Sequence, residues 1–257
     1  MKLNLKGRTV LITGGSRGIG LGVAEVFAAE GCNLHLASRS ATDLDAARKK
    51  ITDAHKVEVT IHAGDLSRND DVVALVKSCG QIDILINNAG AIPHGFITEV
   101  DEVNWHQNWE LKVFGYINLT REVYRNMCAA GKGVIVNVVG TAGERPRASH
   151  ISGSMANAAL MAMSRALGAQ SVDFGVRVVA INPGPTETDR QIVRWEARAK
   201  KELGDESRWR ELTTGFPFKR LGTVDEVATM VVFVCSDRSG YTSGAVITID
   251  GGGAARP

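Results

Sequence analysis

The sequence lacks both a charge imbalance and a long apolar run. It has 30 lysines and arginines against 28 aspartates and glutamates, a formal net charge of +2. Because so balanced a surface does not attract a polyanion, we expect no nucleic-acid partner. No run of about 18 apolar residues occurs, so we expect no transmembrane helix. Residues 1–7 contain no apolar core of a secretory signal, and we expect a cytoplasmic protein.

Cysteine and tyrosine are scarce. The four cysteines lack the spacing of a disulfide framework or a metal site and fit a reducing compartment; they are Cys32, Cys79, Cys128 and Cys235. The six histidines form no ligand pattern, so the sequence predicts no metal site, and there are only 3 tyrosines. Glycine is abundant at 28 of 257 residues, where about 7% is usual. Such an excess predicts tight turns or backbone close to a ligand.

Short β-branched runs alternate with segments of helical period along the chain. The strand-like runs are residues 8–13, 33–37, 57–62, 82–87, 133–139, 176–182 and 245–249. The helical segments are near residues 18–30, 41–54, 68–79, 101–129, 150–173 and 223–235. This alternation predicts an α/β protein with a single-domain Rossmann fold, in which a doubly wound, seven-stranded parallel sheet carries helices on both faces. No repeat or linker indicates a second domain, so we expect one domain over residues 1–257.

A polar, helical segment at residues 185–220 interrupts this alternation. It follows the sixth strand, and open α/β sheets bind ligands beyond the carboxyl ends of their strands. The segment is therefore either a lid or substrate loop, or an oligomer contact or decoration. Thr223 and Glu226 have the spacing of a capping box, which predicts that a helix begins directly after the segment.

A glycine-rich segment, residues 13–20, joins the first strand to the first helix. Gly14 permits a tight turn, Gly18 lets the backbone approach a pyrophosphate, and Gly20 lets helix and strand pack closely. The free N–H groups and positive dipole end of the helix then favour phosphate binding. The segment predicts a dinucleotide site.

Five motifs, in order over nearly the whole length, resemble those of the short-chain dehydrogenase/reductase family. They are residues 13–20, Asp65-Leu66, Asn87-Asn88-Ala89-Gly90, residues 182–188 and Asp250-Gly251-Gly252. The resemblance implies a nicotinamide dinucleotide as cofactor. The cofactor-binding residues that we expect are Gly14, Ser16, Arg17, Gly18, Ile19, Gly20, Ser38, Arg39, Asp65, Leu66, Asn88, Ala89, Gly90, Pro183, Gly184 and Thr186.

The residues after the second strand indicate which dinucleotide is preferred. An NAD site places an acid about 20 residues after the glycine motif, whereas this chain has Ser38 followed by Arg39. Arginine can hold a 2′-phosphate through two hydrogen bonds, and Arg17 adds a second charge. We therefore expect NADP(H) in preference to NAD(H), the alternative being that Arg39 is a solvated residue at a strand end.

At the positions of the active site that the resemblance implies, this chain departs from the family pattern. Family members usually have an Asn-Ser-Tyr-Lys tetrad, in which tyrosine transfers the proton and lysine lowers the tyrosine pKa. By alignment on flanking residues, these four positions fall on Lys112, Gly140, Gly153 and Asn157. No tyrosine of this chain is followed by lysine four residues later; the tyrosines are Tyr116, Tyr124 and Tyr241.

Three residues near the expected pocket are candidate catalytic groups. Lys112 supplies a positive charge, unless its helix position points it into solvent. His150 can transfer a proton near neutral pH, although a histidine at a helix start is also a common cap or surface residue. Ser154 carries a hydroxyl that can hold a carbonyl oxygen. A nearby loop either binds an anionic substrate or is plain surface; its charged residues are Glu144, Arg145 and Arg147.

Two functions are compatible with these features. The first is an NADP(H)-dependent oxidoreductase acting on a small-molecule carbonyl, alcohol or activated alkene with a non-standard proton donor. The second is a non-catalytic NADP(H)-binding protein, acting as a sensor or as a partner subunit. The resemblance also implies a homo-oligomer, a tetramer or dimer, built on the helices near residues 101–129 and 150–173.

Overall fold

Seven parallel strands form one sheet in the computed structural model, which describes residues 1–90 and 92–256. In chain order they are β1 (Thr9–Thr13), β2 (Asn33–Ser38), β3 (Val59–Ala63), β4 (Ile84–Asn87), β5 (Gly133–Val138), β6 (Val176–Pro183) and β7 (Val246–Ile249). Their order across the sheet is β3-β2-β1-β4-β5-β6-β7. Strands β1 to β3 are added toward one edge of the sheet and β4 to β7 toward the other. The order of the strands therefore reverses between β1 and β4, and a ligand crevice opens at such a switch point. The predicted Rossmann fold is confirmed.

Eight α-helices occur among the described residues. They are α1 (Gly18–Ala29), α2 (Ala41–Ala54), α3 (Asn69–Cys79), α4 (Glu102–Trp109), α5 (Gly115–Ala130), α6 (Ile151–Gln170), α7 (Asp189–Leu203) and α8 (Val224–Cys235). The segment predicted as one helix near residues 101–129 is interrupted, because the π-helical turn Glu110–Phe114 separates α4 from α5. No helix among the described residues is long and apolar enough to cross a bilayer.

The two faces of the sheet carry separate hydrophobic cores. Side chains alternate across a strand, so Val10 and Ile12 of β1 pack on one face while Leu11 packs on the other. The first core includes residues of α1, α2 and α8, and the second includes residues of α3 and α5. This arrangement explains why several strands are apolar nearly throughout, since both of their faces are buried.

The segment at residues 185–220 has a small core of its own. Ala199 of α7 is buried with Trp209 and Leu221, away from the two sheet cores. The ends of the segment meet at a β-bridge between Thr186 and Gly222. Helix α8 then begins with the predicted capping box, in which Thr223 Oγ1 accepts from the Glu226 backbone N–H at 3.1 Å.

Candidate functional site

The glycine-rich turn between β1 and α1 forms a cradle of bare backbone. Gly14 has a φ of +64° and donates its N–H to Ala37 O at 2.7 Å. A Cβ on Gly14 would lie 2.9 Å from Asn88 Nδ2, and one on Gly20 would overlap Gly14 O. Helix α1 begins at Gly18 without a side-chain cap. Since a Cβ would fill this cradle and the first N–H groups of the helix have no side-chain partner, the turn fits a pyrophosphate.

The loop after β4 is bound directly to this cradle. Asn88 Nδ2 donates to Thr13 O at 3.0 Å and is 3.3 Å from Gly14 O. Thr13 Oγ1 in turn accepts the backbone N–H groups of Asn88 at 2.9 Å and of Ala89 at 3.0 Å. The two predicted cofactor motifs therefore form one hydrogen-bonded unit on either side of the crevice.

The end of β2 carries the charges expected at the adenosine side. Arg39 is exposed and, among the described residues, makes no hydrogen bond or ion pair. The hydrogen bonds of Ser67 hold the pKa of Asp65 below its usual range, and the charge of Arg39 adds to this lowering. Arg17 forms an ion pair with Asp43 at 2.5 Å. Arg39 is therefore better placed than Arg17 to bind a phosphate, because Arg17 is already paired with Asp43.

A cavity of about 220 Å³ lies where the nicotinamide end of a dinucleotide is expected. It is lined by eight residues predicted from the motifs or from the tetrad positions: Ile19, Asn88, Gly90, Lys112, Gly140, Pro183, Gly184 and Thr186. A second cavity of about 450 Å³ shares Gly140, Pro183 and Gly184 with the first. Eight of the predicted site residues therefore lie around one cavity.

Lys112 is buried beside the smaller cavity and does not point into solvent. Its Nζ donates to Val138 O at 3.0 Å and to Val139 O at 3.2 Å, and lies 3.4 Å from the Tyr116 hydroxyl. Burial lowers the pKa of Lys112 to about 8. Three acceptors therefore surround an ammonium group that remains mostly charged at neutral pH.

Gly140 and Asn157 are in contact, at the positions aligned with the family's serine and lysine. Asn157 Nδ2 donates to Gly140 O at 3.3 Å. Gly140 has a φ of +127°, which side chains with L configuration rarely adopt. The backbone here is one for which glycine is suited and serine is not.

The side chain of His150 occupies the space beside Gly153. A Cβ on Gly153 would overlap His150 Nε2, so the ring is seated where a side chain at position 153 would begin. His94 packs against His150 with ring centroids 4.4 Å apart. Burial, followed by the neighbouring His94, lowers the pKa of His150 from its ordinary value of 6.5. Both rings line the larger cavity.

The larger cavity is rich in positive charge. Besides the two histidines it is lined by three arginines and one acid, which are Arg145, Arg147, Arg256 and Asp250. The Asp250 carboxylate accepts backbone N–H groups from Gly252 at 2.8 Å and Ala254 at 2.6 Å. Part of the predicted lid also lines the cavity, through Pro185, Gln191 and residues 215–217.

The cavities exclude one of the candidate catalytic residues and include two titratable residues that were not predicted. Ser154 is buried and lines neither cavity, because its Oγ accepts the backbone N–H of Arg147 at 3.1 Å. His94 and Arg256 line the larger cavity but were not predicted. A β-bridge between Gly95 and His150 brings the segment of His94 to the start of α6, and no local pattern in the sequence indicates that bridge.

The chain is similar in sequence and fold to several known proteins. The sequence model of the family described as short chain dehydrogenase matches residues 8–199. An uncharacterized oxidoreductase of Thermotoga maritima is 32% identical, covering 98% of this chain and 100% of that protein. The 3-oxoacyl-[acyl-carrier-protein] reductase of Chlamydia muridarum is 31% identical, covering 96% and 98%. The structure of L-sorbose reductase from Gluconobacter frateurii with NADPH and L-sorbose superposes with a TM-score of 0.95, at 31% identity over 100% of both chains.

Proposed function

Because the chain belongs to the short-chain dehydrogenase family, we propose that it is an NADP(H)-dependent oxidoreductase whose proton donor is not a tyrosine. Its substrate would be a small carbonyl or alcohol, or an activated alkene. The observation that carries the proposal is the convergence of the glycine cradle, the buried charge of Lys112 and the histidine-lined cavity at one end of the sheet. In such chemistry the bound nicotinamide supplies or accepts the hydride.

The residues that would hold the dinucleotide are those of the crevice. The backbone between Gly14 and Gly20 would hold the pyrophosphate, and the side chain of Arg39 would hold the 2′-phosphate of NADP(H). Ser38 leaves no carboxylate to repel that phosphate. The L-sorbose reductase that resembles this chain is described with NADPH, which supports the same preference here.

His150 would transfer the proton at the substrate oxygen. Since its pKa is lowered, the ring is neutral at pH 7 and can accept a proton from an alcohol. In the reverse direction it must first be protonated, so carbonyl reduction would be favoured by lower pH. Lys112 would keep its proton, because its ammonium is already directed at backbone carbonyls. Its charge would stabilise the developing alkoxide from beneath the cavity.

The charge of the larger cavity favours an anionic substrate. Arg147 and Arg256 line it, and its single acid, Asp250, is occupied by backbone N–H groups. The charge of Arg194 also reaches the cavity, since it contributes, after burial, to the lowered pKa of His94. A carboxylate or phosphate on the substrate would therefore be attracted to this cavity.

Cofactor titration tests the first part of the proposal. NADPH is expected to bind more tightly than NADH, and Arg39→Ala is expected to weaken NADPH binding about tenfold or more while leaving NADH binding unchanged. Arg48→Ala, which removes an exposed arginine of α2 paired with Asp45, is the matched control. Preference for NADH, or an equal loss in both variants, would contradict the assignment of Arg39.

A substrate panel with NADPH tests the second part. It pairs carbonyls and activated alkenes that carry a carboxylate or phosphate with their neutral counterparts. Turnover with preference for the charged member is the expected result, whereas preference for the neutral member would reject the anionic substrate. Tight NADPH binding without turnover of any member would favour the second hypothesis, that of a non-catalytic binding protein.

A further inference from the structure

Two histidines and a cysteine meet on the sheet face opposite α1, outside the dinucleotide crevice. His62 Nε2 lies 2.9 Å from His35 Nδ1 and 3.7 Å from Cys79 Sγ. One ligand atom from each of the three residues lies within 4.8 Å of those of the other two. We propose that His35, His62 and Cys79 form a binding site for a divalent transition-metal ion of the zinc class, separate from the oxidoreductase site.

The fold assembles this cluster from three elements. In the parallel register of β2 and β3, His35 pairs with Thr60, and His62 lies two residues further along on the same face. That face also carries Leu11 and packs against α3, whose last residue is Cys79. No short sequence spacing connects the three residues, so the absence of a ligand motif in the sequence did not exclude the site.

The separation of His62 Nε2 and Cys79 Sγ is close to that of two ligands of a tetrahedral ion. With metal–nitrogen bonds of about 2.0–2.1 Å and a metal–sulfur bond of about 2.3 Å, two nitrogen ligands stand about 3.3 Å apart and nitrogen and sulfur about 3.6 Å. His62 Nε2 and Cys79 Sγ, at 3.7 Å, already have about this separation, whereas the two imidazole nitrogens, at 2.9 Å, must move apart. Two imidazoles and a thiolate form a ligand set that zinc accepts, and water can complete it as a fourth ligand.

A neighbouring hydroxyl holds His62 in the tautomer that a metal requires. Ser78 Oγ donates to Leu75 O at 2.8 Å and lies 3.2 Å from His62 Nδ1. Since the hydroxyl proton is donated to Leu75 O, Ser78 accepts from His62 Nδ1–H. Nε2 of His62 is then unprotonated and lies on the side of His35 and Cys79. Metal-binding histidines commonly donate their second ring N–H in this way. Ser78 is exposed, which leaves a route for an ion from solvent.

The three side chains can reach the protonation states that a divalent ion requires, with one proton released. Burial lowers the pKa of both imidazoles, with a further contribution of His35 on His62, and burial raises the pKa of the Cys79 thiol to about 12. Within the described residues, no carboxylate or lysine contributes to these shifts. Binding breaks the S–H bond, forms a metal–thiolate bond and releases one proton to solvent, while the ring proton of His35 moves from Nδ1 to Nε2.

Cobalt and zinc added to the full-length protein test the site. One equivalent of Co²⁺ is expected to produce a thiolate-to-cobalt charge-transfer band, which one equivalent of Zn²⁺ removes. Zn²⁺ is also expected to raise the melting temperature of the wild type. Cys79→Ser should abolish the band, and His62→Gln should weaken Co²⁺ binding about 100-fold.

The controls remove residues of the same types elsewhere. Cys128→Ser and His106→Gln are expected to keep the band and the Zn²⁺-induced shift in melting temperature, since neither residue belongs to the cluster. Absence of a charge-transfer band in the wild type would overturn the proposal, and so would a band that persists in Cys79→Ser. If Cys79→Ser fails to fold, His62→Gln decides, because wild-type Co²⁺ affinity in that variant would overturn the site equally.

Discussion

Two titratable side chains with different pKa values lie beside the cavities, and the pH dependence of the reaction rate can distinguish them. Burial brings the pKa of Lys112 down to about 8, and burial followed by His94 takes the pKa of His150 below 6.5. A proton transferred by His150 would give a rate change below pH 6.5, whereas one transferred by Lys112 would give a rate change near pH 8. The pH profile therefore identifies the group that transfers the proton.

His150→Gln is the direct test of the proposed proton transfer. The variant is expected to lower kcat for alcohol oxidation by about 10²-fold or more. In the wild type the rate should be constant above pH 7 and fall below pH 6.5, because only the neutral ring accepts a proton; this fall should be absent in the variant. His106→Gln, at an exposed histidine of α4, is the control. An unchanged kcat in His150→Gln would reject His150 as the transferring group.

The buried ammonium of Lys112 makes stability depend on pH. Folding lowers the pKa of Lys112 from 10.5 to about 8, so between these values the unfolded chain binds more protons. Below pH 8 this costs the folded state about 3 kcal/mol, and the cost disappears as the pH rises to 10.5. In urea unfolding of the apo protein, the wild type should therefore gain stability relative to Lys112→Met as the pH rises over this range. Lys201→Met, at an exposed lysine of α7, should retain the wild-type slope.

Gly140→Ser reintroduces the side chain that the family alignment places there. The φ of +127° is unfavourable for serine, and the added Cβ would lie 3.0 Å from Asn157 Nδ2. We expect a loss of about 1–3 kcal/mol in the free energy of unfolding. Gly215→Ser is the matched control, since nothing lies within 4 Å of a Cβ there. Equal stability of the two variants in urea would contradict the strain at Gly140.

Residues in contiguous motifs were predictable from the sequence, and residues brought together by long-range pairing were not. Gly14 was predicted because strand-turn-helix order constrains it locally, and Asn88 because its motif resembles one of the short-chain dehydrogenase family. The burial of Lys112 was left open, since it depends on packing against β5. His94 was missed because its contact with His150 depends on a bridge far along the chain.

At the scale of elements, the π-helical turn Glu110–Phe114 is the feature that the sequence did not indicate. The hydrophobic pattern predicted one helix near residues 101–129, and a single wide turn scarcely changes such a pattern. Lys112 lies within this turn. π-Helical turns are frequent at functional sites, and here the turn carries the residue whose charge lies beneath the smaller cavity.

Trp209 tests whether the segment at residues 185–220 behaves as a unit. It is 5% exposed and packs in the segment's own core. Trp209→Ala is expected to make residues 185–220 sensitive to limited proteolysis and to raise KM for substrate, while the NADPH dissociation constant changes less than twofold. Such a pattern follows because the lost contacts lie within the segment. A large loss of NADPH affinity would show that the segment and the sheet unfold together.

At the scale of the whole molecule, the sheet topology was predictable because strands alternate with helices throughout. The same topology places the dinucleotide crevice between β1 and β4 and the proposed metal site at the β3 edge. The assembly of several copies remains a prediction. Exposed apolar side chains occur on the helices expected to form the contact, and they include Val103, Phe114 and Met155.

Light scattering tests the predicted homo-oligomer. A dimer or tetramer is expected at micromolar concentration, because exposed apolar surface on α4, α6 and the turn before α5 would be covered. Phe114→Glu should shift the population toward monomer, whereas Phe218→Glu, at an exposed phenylalanine of the 185–220 segment, should not. A wild-type monomer would contradict the prediction.

The small core beneath α7 has a consequence for engineering. The bridge between Thr186 and Gly222 brings the two ends of the segment together, so residues 187–221 form a cassette whose ends leave the scaffold next to each other. Exchanging this cassette with that of a related reductase, with Thr188 and Gln191 retained because they line the smaller cavity, should transfer substrate selectivity and leave dinucleotide binding with the recipient scaffold. A chimera that loses NADPH binding would show that the cassette and scaffold are not separable.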